Sequence, residues 1–413
     1  MVKNILSVLT IVLAVAILVF GGYYFRGKQE SKTVPNQGTG LLPSVQNSGT
    51  QNAGAQTQNT IPTGSKLNKI SENQVLDYFA DNGKNVFAIQ PDGKVLKISD
   101  GKTETLSSNL IAGLTDASFS YDGKMIMAFA GGSSSGSKIN IFDTAKKDWV
   151  LLSNIAQSPV WSPASRQIAF LSPVGGANAV YLVNADNLRP SPVEILRIHA
   201  EDLIISWPNA STIFSSDRPN SSWNSSLWSL NIAKKTLSSV ISDRPGLETT
   251  WSSSSPAVGL AFSSNANGQG GKLKLVSQEG KQLQEFSFLT FPSKCAFYNK
   301  LIAPASATSS IATTSTPKTS QRPQPQKYAL TIVCAVPRDR QTLDNAQLPD
   351  AYLQKSLFTS DNFFEISVST GEIKSVFNDQ SKNFDADDVK VFNGAVFFIN
   401  RYDKKVYSVE LPK

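Results

Sequence analysis

Residues 159–172 read Pro-Val-Trp-Ser-Pro-Ala-Ser-Arg-Gln-Ile-Ala-Phe-Leu-Ser, a tryptophan and a short polar turn followed by an apolar strand. The same order of an aromatic residue, a Ser- or Asp-rich turn and an apolar run recurs along the chain. The aromatic residues that mark it are spaced 40 to 46 residues apart: Phe79, Phe119, Trp161, Trp207, Trp251 and Phe297. That period is typical of a propeller blade of four antiparallel strands. The pattern therefore predicts an all-β propeller.

The repeats predict seven four-stranded blades, with six as the alternative. The seventh has only three strands before the C-terminus, around Asp388–Phe392, Ala395–Ile399 and Val406–Glu410. We expect Lys66–Ile70 to supply its missing outer strand, because pairing the two chain ends removes a free sheet edge.

Two stretches carry a resemblance to a known family. Phe119–Lys124 (Phe-Ser-Tyr-Asp-Gly-Lys) and Val160–Pro163 followed by Ile168–Phe170 resemble the W-S-P-D-G-K…I-A-F repeat of TolB-type propellers. The repeat also occurs in the propeller domain of dipeptidyl-peptidase IV and prolyl oligopeptidase relatives. The resemblance covers about 340 residues and implies a TolB-like, WD40-like propeller. Because these propellers host many roles, it implies the fold and not the function.

The N-terminal segment predicts a membrane anchor. Residues 5–25 are apolar except for Ser7 and Thr10, and 21 residues are enough to cross a bilayer as a helix. The run ends in Gly-Gly-Tyr-Tyr-Phe without a small-residue cleavage site, which favours an uncleaved anchor over a cleaved signal peptide. We expect residues 1–4 in the cytoplasm and the propeller outside it. Basic residues flank both ends of the helix, so charge does not decide this orientation.

Polar composition predicts two segments without a packed core. Residues 26–65 are rich in Gln, Asn, Gly, Thr, Ser and Pro and are expected to form a flexible linker ahead of the propeller at 66–413. Residues 304–327 have a similar composition and predict a disordered insertion in blade 6. A second insertion, about Pro337 to Lys355, precedes the third strand of that blade.

The chain has two cysteines, Cys295 and Cys334, on the predicted first and second strands of blade 6. Neighbouring antiparallel strands bring such a pair near bridging distance. A disulfide is the favoured interpretation, and two buried small apolar residues are the alternative. One bridge agrees with an oxidising exterior.

The sequence offers no pattern that predicts catalysis. One histidine, His199, and two cysteines do not make a zinc site. Gly132–Gly136 matches G-x-S-x-G, but it lies in a Gly/Ser loop between strands, whereas a nucleophile elbow joins a strand to a helix. The acidic run Asp385–Asp388 lacks a calcium-loop pattern and predicts a solvated turn. With no hydrolase domain after the propeller, we expect no catalytic residues, no cofactor, no metal and no enzyme activity.

One polar connection is a candidate binding site. The stretch Ser216–Asn224 carries Arg218 and Trp223, and Trp and Arg are favoured at binding hot spots. The alternative is that Trp223 begins the next strand and packs between blades. The net charge is +7, but the basic residues are scattered, so we expect no nucleic-acid partner.

These features together predict a function in the cell envelope. The leading hypothesis is a non-enzymatic protein-binding or scaffolding module tethered to a bacterial inner or plasma membrane, with another envelope protein as its partner. The alternative is an extracytoplasmic hydrolase or lyase that acts on a sugar or peptide in the central pocket. That alternative requires carboxylates, or a Tyr and Arg set, that converge at one mouth of the channel.

Overall fold

The computed structural model describes residues 66–107, 109–129, 137–200, 202–302 and 327–412. The predicted cytoplasmic tail, transmembrane helix and linker lie outside these residues, as does the predicted insertion at 304–327 apart from Lys327. Within the described residues, no helix is both long and apolar enough to span a membrane.

The described strands form seven antiparallel blades of four strands each, which confirms the predicted count of seven. The first strand, β1 (Leu67–Lys69), pairs with the last strand of the chain, and we call it the clasp strand. Blade 1 contains β2 (Asp77–Ala80), β3 (Val86–Ile89), β4 (Val95–Ser99) and β5 (Lys102–Thr105). Blade 2 contains β6 (Asp116–Phe119), β7 (Met125–Phe129), β8 (Ser137–Asp143) and the first part of β9 (Asp148–Trp161). Blade 3 contains the last part of β9 with β10 (Gln167–Val174), β11 (Ala177–Asn184) and β12 (Val193–Ile198).

The remaining blades follow in chain order. Blade 4 contains β13 (Leu203–Asn209), β14 (Thr212–Asp217), β15 (Asn224–Asn231) and β16 (Thr236–Pro245). Blade 5 contains β17 (Glu248–Trp251), β18 (Val258–Ser263), β19 (Lys272–Ser277) and β20 (Gln282–Glu285). Blade 6 contains β21 (Cys295–Ile302), β22 (Lys327–Pro337), β23 (Asp361–Ser367) and β24 (Ile373–Phe377), with a 3-10 turn (Pro292–Lys294) before it and two short helices, α1 (Arg340–Asn345) and α2 (Asp350–Leu353), between β22 and β23. Blade 7 contains β25 (Ala386–Phe392), β26 (Ala395–Asn400) and β27 (Lys405–Glu410), with β1 as its outer strand.

Burial falls from the middle of a blade to its outer edge. Every residue of the apolar strand β7 is buried, whereas every residue of the outer strand β5, Lys-Thr-Glu-Thr, is exposed. Apolar second strands bury both of their faces between neighbouring blades, and charged outer strands leave an edge that does not attract another sheet.

The aromatic residues that mark the repeat lie at the contacts between blades. Trp161 is buried, and its Nε1 donates to the backbone oxygen of Ser118 in the preceding blade at 2.9 Å. Trp251 stacks on Phe214 of blade 4 with ring centroids 4.1 Å apart. Large aromatic side chains bury much area and favour such stacked contacts. The period seen in the sequence is therefore the period of the blade contacts.

The ring closes through the clasp strand, as the sequence predicted. β1 pairs with β27, with Leu67 opposite Val409 and Lys69 opposite Tyr407. Blade 7 also contacts blade 1 directly, where the Tyr78 hydroxyl donates to the Asp388 carbonyl at 2.6 Å.

All seven inner strands begin at the same end of the ring. That end also carries the connections between the second and third strands of each blade. We call this end the loop face. It contains residues 218–223 of blade 4 and residues 338–360 of blade 6.

Candidate functional site

The connection between β14 and β15 forms a surface cavity on the loop face. Its volume is about 300 Å³, and its lining includes Asp202, Asp217, Arg218, Asn220 and Trp223. The strand β15 begins at Asn224, and Trp223 is 72% exposed. Trp223 therefore does not pack between blades, and the alternative interpretation of this residue is excluded.

An ion pair fixes Arg218 at the edge of this cavity. Its Nε donates to Oδ1 of Asp202 at 2.9 Å, and its backbone N–H donates to the Asp202 carbonyl at 3.1 Å. Both side chains are partly exposed, so the pair contributes little to stability by itself. The two contacts set the direction of the guanidinium at the edge of the cavity.

The cavity loop is held by a distant part of the chain. The backbone N–H of Ser221 donates to Oδ2 of Asp350 at 3.1 Å, and its hydroxyl donates to the same carboxylate. Asp350 is the first residue of α2, in the long insertion of blade 6. The backbone N–H of Gly246 donates to the Asn220 carbonyl at 2.9 Å. The loop that exposes Trp223 is thus tied on both sides.

The insertion of blade 6 crosses over blade 5 to reach this loop. We call residues 338–360 the strap. The Leu348 N–H donates to the Gly268 carbonyl at 3.0 Å, and the Gly270 N–H donates to the Ala346 carbonyl at 3.0 Å. Leu343 and Leu348 of the strap are fully buried. The apolar anchors of this segment explain why a surface insertion is ordered.

Two carboxylates, Glu248 and Asp387, lie where the inner strands of blades 5 and 7 begin, at the loop face. Glu248 begins the inner strand of blade 5, and its Oε2 atom is buried without a hydrogen-bond partner among the described protein atoms. Burial, together with the negative charge of Asp387, raises the pKa of Glu248 to about 7, although the Ser293 N–H opposes this rise. A carboxyl group in such surroundings exchanges its proton near neutral pH.

A second acidic group lies on the opposite side of the ring interior. Asp116 is exposed on one side. Partial loss of water around its carboxyl group raises its pKa to about 6, and the negative charge of Asp77 adds to this rise. Lys390 is bonded to both Asp77 and Asp388, with 2.9 Å between its Nζ and Oδ2 of Asp388. Asp388 adopts a left-handed backbone (φ 49°) in the inner strand of blade 7. The channel thus holds several carboxylates around one ammonium group.

The structure joins Cys295 and Cys334 in a disulfide between the first and second strands of blade 6. His199 is exposed in the connection from blade 3 to blade 4. The G-x-S-x-G stretch at 132–136 lies outside the described residues.

The expectation of a solvated turn at residues 385–388 was wrong. Asp385 is fully buried, and the inner strand of blade 7 begins at Ala386. The acidic run resembled a solvated turn because the cations that pair with Asp385 do not lie near it in sequence. These partners are Lys294 and Arg401, which come from distant parts of the chain. No local signal could have shown those partners.

The known proteins to which this chain is similar are solved structures. No protein family and no curated protein matches the sequence. Among solved structures, TolB from Acinetobacter baumannii is 17% identical over 51% of this chain and 54% of its own, with a TM-score of 0.38. The tricorn protease is 10% identical over 85% of this chain and 34% of its own, with a TM-score of 0.48. A prolyl endopeptidase is 9% identical over 84% of this chain and 51% of its own, with a TM-score of 0.46.

The chain spans about a third to about a half of the length of these solved chains. At these identities and TM-scores the similarity says nothing about activity.

Proposed function

We propose that this protein is a non-enzymatic binding module of the cell envelope that engages a protein partner through the loop face around Trp223. One observation carries the proposal: a tryptophan that is 72% exposed lies beside a cavity of about 300 Å³, on a loop tied to the blade 6 insertion and to the connection between blades 4 and 5. Large exposed aromatic residues beside a pocket are typical hot spots of protein interfaces.

The fixed loop favours binding because the entropy of ordering it is already lost on folding. The bonds from Asp350 and Gly246 hold the loop without a partner. A preorganised surface loses less conformational freedom when it associates, which increases the affinity. Arg218 and Asp202 add one charge of each sign at the cavity, which suits a polar partner segment.

The tether completes the proposal. An anchor at residues 5–25 and a linker at residues 26–65 would hold the propeller near the membrane outside the cytoplasm and let it search for partners. The disulfide in blade 6 supports an oxidising compartment, since such bonds are rare in the cytoplasm.

The test is chemical cross-linking of the full-length protein in native membranes, followed by identification of the captured proteins. The Trp223→Ala variant should lose the captured partner, because truncation at a hot spot costs about 2 kcal/mol or more, roughly a 30-fold loss of affinity. Tyr121→Ala is the matched control, since Tyr121 is also an exposed aromatic residue (50%) but lies in a turn between first and second strands, at the opposite end of the ring. Equal capture by both variants, with the propeller folded, would exclude the Trp223 surface.

The carboxylates at the channel mouth favour one second candidate, a hydrolase or lyase that acts on a sugar or peptide. Glu248, with its pKa raised to about 7, has the protonation behaviour of a general acid or base. This function requires turnover that Glu248→Gln abolishes while partner capture is unchanged. Turnover that survives the substitution would exclude Glu248 from catalysis.

A further inference from the structure

Four charged side chains are buried together between blades 6 and 7, away from the cavity loop. Lys294, Asp361 and Asp385 are fully buried, and Arg401 is 4% exposed. The Nζ atom of Lys294 lies 2.6 Å from Oδ2 of Asp361 and 2.5 Å from Oδ1 of Asp385. Thr359 donates to Oδ1 of Asp361 at 2.8 Å. One amine therefore faces two carboxyl groups where water does not reach.

The two carboxyl groups are not equivalent. Asp385 accepts from Nη1 of Arg401 at 2.8 Å and from the Thr359 N–H at 3.1 Å, so its charge has a second cation. Asp361 has Lys294 as its one cationic partner among the described residues. Burial, opposed by Lys294 and aided by Asp385, raises the pKa of Asp361. Asp361, which faces one cation where Asp385 faces two, is thus the carboxyl group placed to take the proton of Lys294.

We propose that Lys294 and Asp361 form an intramolecular amide cross-link, with Asp385 as the group that moves the proton. The alternative is that the four groups remain a non-covalent network of ion pairs. Burying four charges is expensive even when they are paired, and the amide would remove two of them. The reacting groups are held in contact by the fold, which replaces a slow encounter by an effective concentration far above that in solution.

The reaction balances without an oxidant or co-reactant. A proton passes from Nζ of Lys294 to Asp361, which gives a neutral amine and a carboxylic acid, the forms that burial favours. The amine electron pair then attacks Cγ of Asp361, and Asp385 accepts the proton that the nitrogen loses. Asp385 returns this proton to the departing hydroxyl, which leaves as water. One C–N bond forms, one C–O bond breaks, and Asp385 ends as the carboxylate that it was.

The surroundings supply the other groups that the step needs. The backbone N–H of Ala386 donates to Oδ2 of Asp361 at 2.7 Å, and the Thr359 hydroxyl lies 2.8 Å from Oδ1 of Asp361 and 2.9 Å from Oδ1 of Asp385. When its one proton points to Asp361, both oxygens of the tetrahedral intermediate have a donor. Tyr352 of the strap covers the group from the loop face, since Arg401 lies 3.8 Å from the centre of its ring and donates to its carbonyl at 2.8 Å. This cover keeps water from the reacting atoms.

The amide would cross-link strands of blade 6, the blade that carries both insertions. Lys294 immediately precedes β21, and Asp361 begins β23, so the amide would join the first and third strands of blade 6. The disulfide from the adjacent Cys295 joins the first and second strands. Two neighbouring covalent links would then hold three strands whose connections are long.

The experiment measures the intact mass of the full-length protein after reduction of the disulfide, followed by protease mapping. We expect the mass to fall one water short of the sequence mass, and the peptide with Lys294 to stay joined to the peptide with Asp361. A folded chain of full mass, with these two peptides separate, would overturn the proposal.

Variants separate the chemistry from the fold. Lys294→Arg keeps a cation in the group but cannot form this amide, so it should restore the missing water while the protein remains folded by circular dichroism. Lys300→Arg is the matched control, because Lys300 lies 2.7 Å from Glu365 in the same blade but is 31% exposed and faces one carboxylate. It should keep the cross-link. Retention of the water loss in Lys294→Arg would place the modification elsewhere and defeat the assignment.

Discussion

At the scale of single residues, burial decides which charges matter. Glu248 is the clearest case, because its oxygen Oε2 is buried without a hydrogen-bond partner among the described atoms and its pKa is raised to about 7. Asp122 shows the opposite arrangement. Although partial burial opposes it, hydrogen bonds from Arg166 and Ser120 lower the pKa of Asp122, and Arg166 links blade 3 back to blade 2 at 2.8 Å. A buried carboxyl group without a cation thus has a raised pKa, whereas a carboxylate paired with Arg166 has a lowered pKa and links two blades.

The raised pKa of Glu248 makes stability depend on pH. Between its ordinary value of 4.5 and about 7, the folded state binds more protons than the unfolded state, so stability falls as pH rises through this window. Glu248→Gln stays neutral at all these pH values. We expect it to be more stable than the wild type at pH 8, by up to about 3 kcal/mol, and equal to it at pH 4.

Urea unfolding at both pH values measures this difference. Glu410→Gln serves as the control, since Glu410 is exposed on the last strand and its loss should change stability little at either pH. A gain at pH 4 as large as the gain at pH 8 would mean that the charge of Glu248 is not the cause.

At the scale of elements, the clasp strand is short but closes the ring. Leu67 packs against the core shared by blades 6 and 7, and the Ser71 hydroxyl accepts from the Val406 N–H at 2.9 Å. We expect a chain that begins at Glu72 to unfold a few degrees lower than a chain that begins at Lys66, because it loses about 2 kcal/mol of strand pairing and apolar burial. Thermal unfolding of both truncated chains measures this, and equal midpoints would show that the other blade contacts close the ring without β1.

Elements also show what the sequence could and could not predict. The clasp, the seven blades and the order of strands in blade 6 follow from local signals, since each blade repeats its own aromatic residue, turn and apolar run. The strap does not follow from any local signal. Its helices have only six and four residues. Its position over blade 5 depends on a hydrogen bond from Leu348 to Gly268 and on the hydrogen bond that Asp350 accepts from Ser221 of blade 4.

At the scale of the whole molecule, the candidate site forms where separate parts of the chain meet, since the Trp223 loop of blade 4 is held by Asp350 of the blade 6 insertion. Trp223 and Arg218 were found from the sequence because their residue types are unusual in a polar loop. Glu248 was not, since the charge of Asp387 that acts on it comes from a distant part of the sequence, on the inner strand of blade 7. The charge group of Lys294 was missed for the same reason. A repeat pattern predicts each blade, but the chemistry lies between blades.

The state of the two cysteines reports where the whole propeller resides. They are the only cysteines in the chain, they are joined to each other, and both are buried. If the propeller lies outside the cytoplasm, acid-quenched cells should yield a denatured chain that takes up no maleimide before reduction and two maleimides after it. A cytoplasmic protein with free thiols in the same lysate is the control for trapping. Two maleimides without reduction would place the propeller in a reducing compartment and remove the support that the disulfide gives to an extracytoplasmic partner.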